Sequence, residues 1–179
     1  MKRNLLTSFA GIYLLLVLCI TANGQLASTN MQSPGDIPSF GNFISKNSSG
    51  SVDRNSVNSK VVKNFVKSYK EVSDEKWFEL QGGYVAMFSF DNIDYQVAYD
   101  KKGNWLRTIR SYSESKLSED MRHIVKSSYY DYDIALVQEI DKPADAVTYI
   151  IKLTGKTELI NLRICDGEMQ VLQRFNKSE

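Results

Sequence analysis

The chain has 179 residues, with 22 Lys and Arg against 21 Asp and Glu, for a formal net charge of +1. So even a balance excludes a broad field for holding nucleic acid or an anionic membrane. Of its two cysteines one, Cys19, falls in an N-terminal apolar run that reads as an export signal, and the one histidine and one cysteine left after its removal cannot supply a familiar three- or four-ligand zinc set.

Residues 1–24 read as an export signal. Lys2 and Arg3 form a positive start, and Leu5–Ile20 is a mostly apolar run of 16 residues, shorter than the ~20 a spanning helix needs. Ala22-Asn23-Gly24 then offers small residues for cleavage before Gln25. Cleavage removes Lys2 and Arg3 but no acid, taking the net charge from +1 to −1. It leaves no stable membrane span and only one cysteine, Cys165, so no disulfide can form within the chain. The expected location is outside the cytoplasm, periplasmic or secreted.

Residues 25–58 are rich in Ser, Asn and Gly, with Pro34 and Pro38. Such a stretch buries too little to offset its ordering entropy and predicts a flexible linker. The folded domain is expected over 59–176, long enough for one core.

A helix is predicted over Ser59–Glu71, with Val61, Val62, Phe65, Val66 and Tyr69 as its apolar stripe. Strands follow at Lys76–Leu80, Tyr84–Phe90 and Ile93–Asp100. The two-residue loop Asp91-Asn92 pairs Phe90 with Ile93, Phe88 with Tyr95, Ala86 with Val97 and Tyr84 with Tyr99 on the core side. After the Gly103 turn, a strand over 104–110 is predicted to set Ile109 inward opposite Tyr95 and Arg110 outward opposite Asp94.

A second helix begins at N-cap Ser118, with Glu119 and Asp120 in its first turn, where carboxylates suit the helix dipole. Its stripe is Met121, Ile124, Val125 and Ser128. Strands are predicted at Ile134–Ile140, Val147–Leu153, Glu158–Cys165 and Glu168–Phe175. Asp166-Gly167 is the strongest hairpin signal, and the preceding loop pairs Ile151 with Ile160. The segments SKVVKNFVKSYKE (59–71) and SEDMRHIVKSSYY (118–130) align at an offset of 59 and share Val-Lys-Ser. A period this long implies a duplicated unit. The predicted class is α+β: two tandem helix–four-strand repeats, 59–112 and 117–176, in two sheets of four or one of eight, with helices on one side.

The helix VVKNFVKSY, then Trp77, then YVAMFSFDNIDYQVAYDKKGNW, with the weaker second copy YIIKLTGKTELINLRICDGEM, resemble exported PepSY-like proteins with a β-lactamase-inhibitor-like fold of the Bacteroidetes type. The resemblance covers about Val61 to Phe175. It implies a tandem α/β repeat whose open sheet face serves as a binding surface, as in the namesake inhibitor. It carries over no functional residue.

No catalytic constellation is visible. His123 lies on the polar side of its helix without an evident nucleophile. Cys165 is a lone thiol beside a turn. The acids of Tyr129–Asp133 lack the spacing of a calcium loop and read as a helix end. Trp77 and Trp105 read as core. No cofactor is expected.

The face of the pleat turned from the core is the candidate partner-binding surface: Val85, Met87, Leu106, Ile150, Leu159, Arg163 and Leu172. Apolar residues grouped on one face mark an interaction site. The expected function is a non-catalytic binding or inhibitory module, engaging an envelope or extracellular protein. The alternatives are a small-molecule or ion sensor and, behind it, a hydrolase.

Overall fold

The structure is a computed structural model and describes residues 50–177. Nine strands form one antiparallel sheet in which each pairs with its neighbour in sequence. In chain order they are β1 (Ser51–Val52), β2 (Lys76–Leu80), β3 (Gly83–Phe90), β4 (Ile93–Asp100), β5 (Trp105–Tyr112), β6 (Asp133–Asp141), β7 (Thr148–Thr154), β8 (Glu158–Cys165) and β9 (Glu168–Asn176). Helix α1 (Ser59–Ser68) lies between β1 and β2, and α2 (Glu119–Ser128) between β5 and β6. Each follows a short 3-10 turn, Arg54–Ser56 and Glu114–Lys116.

This overturns the α+β prediction. Strands take 50% of the structure and helices 20%. The protein is mainly β, with one continuous sheet of nine strands where two sheets of four or one of eight were predicted. The reason is that the chain's β-branched and aromatic runs pair without a break from β1 to β9, while each helix has only ten residues. The export signal and residues 25–49 lie outside the described residues. Residues 51–58, predicted to end the linker, instead supply β1, a 3-10 turn, the buried Val57 and the α1 cap.

Asn58 caps α1 by accepting from the Lys60 amide, and Ser118 caps α2 by accepting from the Met121 amide. Like positions of the helices therefore lie 60 residues apart, not 59. The shared Val-Lys-Ser triplet is out of step with the packing. Phe65 and Val125 are the corresponding buried residues.

The sheet's inner face carries two cores. Under α1, Val57, Val61 and Phe65 pack with Trp77, Ala86, Phe88, Val97 and Tyr99. The Phe65 ring meets Trp77 and Phe88 edge-on at 5.2 and 5.6 Å. Phe65→Ala would cost about 3–5 kcal/mol. Under α2, Leu117 and Val125 pack with Tyr112, Val137, Ile151, Leu153, Ile160, Leu162 and Ile164.

Between the cores the inner face turns polar. Arg110 on β5 pairs with Glu139 on β6 and lies 3.6 Å from Asp141, while the Tyr112 hydroxyl donates to Glu139 at 2.7 Å. Burial first, and then this bond to a carboxylate, keep the Tyr112 phenol protonated far above its ordinary range.

A β4/β5 bulge creates that seam. Trp105 pairs with Tyr99, but Arg107 already pairs with Ala98, so β5 holds one extra residue at Leu106. Beyond it the strand is reversed from the prediction. Thr108 and Arg110 face inward opposite Val97 and Tyr95, and Ile109 faces outward opposite Gln96.

Candidate functional site

The outer face of the sheet lends no side chain to either core. Its middle strands pair in two transverse rows. One runs Met87–Gln96–Ile109–Ile140–Thr148–Cys165, and the next runs Asp94–Ser111–Gln138–Ile150–Arg163–Gln170. Val85 and Ala98 lie beyond the first row; Lys152 and Asn161 lie beyond the second.

The seven predicted site residues do not form one uniform patch. Val85, Met87 and Ile150 are on this face but are only 4%, 8% and 7% exposed. Leu106 at 46% and Leu159 at 40% are open to solvent. Leu106 sits at the β4/β5 bulge, and Leu172 at a second bulge where β9 carries one more residue than β8. Arg163 is half-buried opposite Ile150. A partner therefore gains little from covering Val85, Met87 or Ile150, whose apolar area is already out of water. Leu106 and Leu159 lie near opposite ends of the face.

Polar contacts finish the middle. Gln138 is buried, with its amide 3.5 Å from the Ser111 hydroxyl. Asn161 donates to Gln173 at 2.9 Å. Arg163 and Lys152 are diagonal neighbours on β8 and β7, which in an antiparallel pair means about 7–8 Å apart. The sequence did not bring them together. Pairing Ile151 with Ile160 puts Arg163 opposite Thr148; the actual pairing of Ile151 with Leu162 moves it two residues, beside Lys152.

Chemistry-bearing residues are dispersed. His123 is exposed on α2, on the helix side, whereas Cys165 is half-buried in the outer row. Among the described residues, no three His, Cys, Asp or Glu gather as a metal site. Tyr129 and Tyr132 pack against the α2 core with rings 5.5 Å apart, while Tyr130 is open to solvent.

The helix side has a cleft the sequence did not reveal. It has a volume of about 410 Å³ and is lined by Asn64, Lys67, Tyr69, Trp105, Arg110 and Asp141, among others. It exists because the bulge turns Arg110 inward. Trp105 donates its indole N–H to Thr108 at 3.0 Å, which fixes the ring at the cleft wall.

No family model matches the chain, and no curated protein matches it. Solved structures do share the fold. A DUF2874 family protein from Bacteroides ovatus superposes with a TM-score of 0.55 at 19% identity, over 68% of this chain and 88% of its own. A candidate periplasmic protein from Bacteroides eggerthii gives 0.54 at 16%, over 67% and 88%. A BLIP-like protein from Bacteroides fragilis gives 0.54 at 19%, over 67% and 86%. At these identities the likeness is one of fold. It meets the β-lactamase-inhibitor-like part of the resemblance; none of the three is described as PepSY-like.

Proposed function

We propose that the protein is an exported, non-catalytic module of the cell envelope, periplasmic or secreted, that engages a protein partner through the outer face of its sheet. The PepSY-like assignment is part of this reading. The observation that carries it is a sheet side unused by either core, on which Leu106 and Leu159 stay open among half-buried polar side chains. Export is supported by the leader-like residues 1–24 and by the candidate periplasmic neighbour. A role without bond chemistry is supported by the placement of His123 and Cys165 on opposite sides of the sheet.

The test is stoichiometric co-purification of the tagged mature chain from its native envelope, compared with Leu106→Asp/Leu159→Asp. These two positions are chosen because aspartate at the nearly buried Met87 would perturb folding itself. The reading expects one defined partner, lost in the variant at unchanged thermal stability. Retention by a folded variant counts against the outer face.

The cleft beside Arg110 favours a second reading, a small-molecule sensor. Its Trp, Tyr, Lys and Asp lining offers both a ring surface and charged hydrogen-bonding groups. A ligand held there would raise the melting temperature in proportion to its occupancy, and Trp105→Ala would abolish that rise.

A further inference from the structure

We infer that the partner surface received by the outer face is acidic, with carboxylates set against Lys152 and Arg163 over Ile150; this rests on reading that face as a docking surface. The arginines elsewhere show why. Arg54, Arg110, Arg122 and Arg174 each lie within 4.0 Å of a carboxylate: Glu75, Glu139, Glu114 and Glu158. Arg107 also has a partner. Among the described residues, the side chains of Arg163 and Lys152 make neither a hydrogen bond nor an ion pair. Both are half-buried, and they are diagonal neighbours.

Two like charges on diagonal positions repel one another, and half-burial withdraws part of the water around each. A carboxylate placed between them relieves both effects, and a guanidinium takes it in two parallel hydrogen bonds. The acids on the same face do not serve: Asp94 lies toward the β3/β4 turn and accepts from the Ser89 hydroxyl. Glu168, opposite Cys165, is diagonal to Arg163, and Asp133, opposite Thr154, is diagonal to Lys152, but both are exposed and neither ion-pairs with its basic neighbour. Because Ile150 is already covered, recognition here depends on charge and hydrogen bonding more than on apolar area. A nucleic-acid phosphate offers similar oxygens, but the near-neutral chain has no broad field to collect it.

The probe is a fluorescent peptide of alternating glutamate and tyrosine, added to the mature chain, with a lysine–tyrosine peptide and a single-stranded oligonucleotide as comparisons. Saturable binding of the acidic peptide is expected, at least tenfold weaker at 300 mM than at 50 mM salt. Lys152→Glu/Arg163→Glu should weaken it at least tenfold again, and Lys152→Arg/Arg163→Lys should hold it within about threefold. If the reversed pair does not fold, Lys152→Gln/Arg163→Gln takes its place, with the same direction expected. Equal binding of acidic and basic peptides, tighter binding of the oligonucleotide, or indifference to these substitutions overturns the inference. If the acidic peptide fails while Leu106→Asp/Leu159→Asp still abolishes partner capture, the charge assignment falls and the docking face stands. If both fail, the face falls as well.

Discussion

Arg110 on β5 and Glu139 on β6 are directly opposed in the ladder and ion-paired at the seam between the two cores. Removing the guanidinium leaves Glu139 partly buried, with the Tyr112 hydroxyl as its remaining hydrogen-bond donor among the described residues. Arg110→Met should therefore lower stability by about 1–3 kcal/mol. Adding Glu139→Leu should recover part of that, because both charged groups are then gone. Urea unfolding of the two single variants and the double variant measures the coupling. Strict additivity would falsify a shared role for the pair.

Gly83 opens β3 at a φ of +157°, and a Cβ there would lie 1.9 Å from the Tyr99 carbonyl oxygen. That oxygen belongs to the backbone of β4, so relief requires moving the hairpin itself. Gly83→Ala should cost more than about 2 kcal/mol. Gly82, whose Cβ would meet nothing within 4 Å, is the control. Equal melting temperatures for the two alanine variants would contradict the close approach.

Two half-buried carboxylates are held ionised. Bonds from the Asn104 side chain and backbone lower the Asp100 midpoint below its ordinary 3.8. The Tyr132 hydroxyl and Arg174 lower Glu158 below 4.5. A depressed folded midpoint contributes stability above the ordinary value and loses it as pH falls through the lower, folded one. Stability should thus start to drop below about pH 4.5 and continue past 3.8. In an NMR titration, Asn104→Ala should raise the Asp100 midpoint and Tyr132→Phe that of Glu158. Midpoints that stay put would mean these bonds do not hold the charges.

Val66 and Val125 stand at the head of the same tripeptide, yet Val66 is 39% exposed and Val125 is 0% exposed. Val125→Ala should cost about 2 kcal/mol, the scale of two buried methyl groups with the cavity they leave. Val66→Ala should stay within about 0.5 kcal/mol. Similar losses at both sites would restore the offset of 59.

That pair also marks where the sequence was legible. Hairpins with turns of fixed length were readable residue by residue. Asp91 and Asn92 both take positive φ, at 51° and 59°, and Phe88 duly faces Tyr95, their rings stacked 4.8 Å apart. Asp166-Gly167 likewise sets Ile164 opposite Met169. The helical stripe was readable in kind but not in phase, because identical letters outweighed the Asn58 cap. The β4/β5 bulge was not readable, since nothing in Trp105-Leu106-Arg107 announces an extra residue. That single residue decides which side Arg110 and Ile109 occupy. The β7/β8 loop was read two residues off, which kept every side chain on its proper face yet misplaced the Arg163–Lys152 pair. Strand β1 escaped notice because two residues carry no periodicity. The α+β class failed on proportion: each helix is short, and one sheet runs through both halves.

Every rung of this sheet joins strands that are also consecutive along the polypeptide. Outside the two helical connections, from β1 to β2 and from β5 to β6, no pairing has to wait for a distant stretch of chain, so the entropy lost in closing those loops stays small. Folding can advance strand by strand in the order the chain is delivered, each new strand finding its template in the one just laid down, with α1 and α2 bridging the two longer connections.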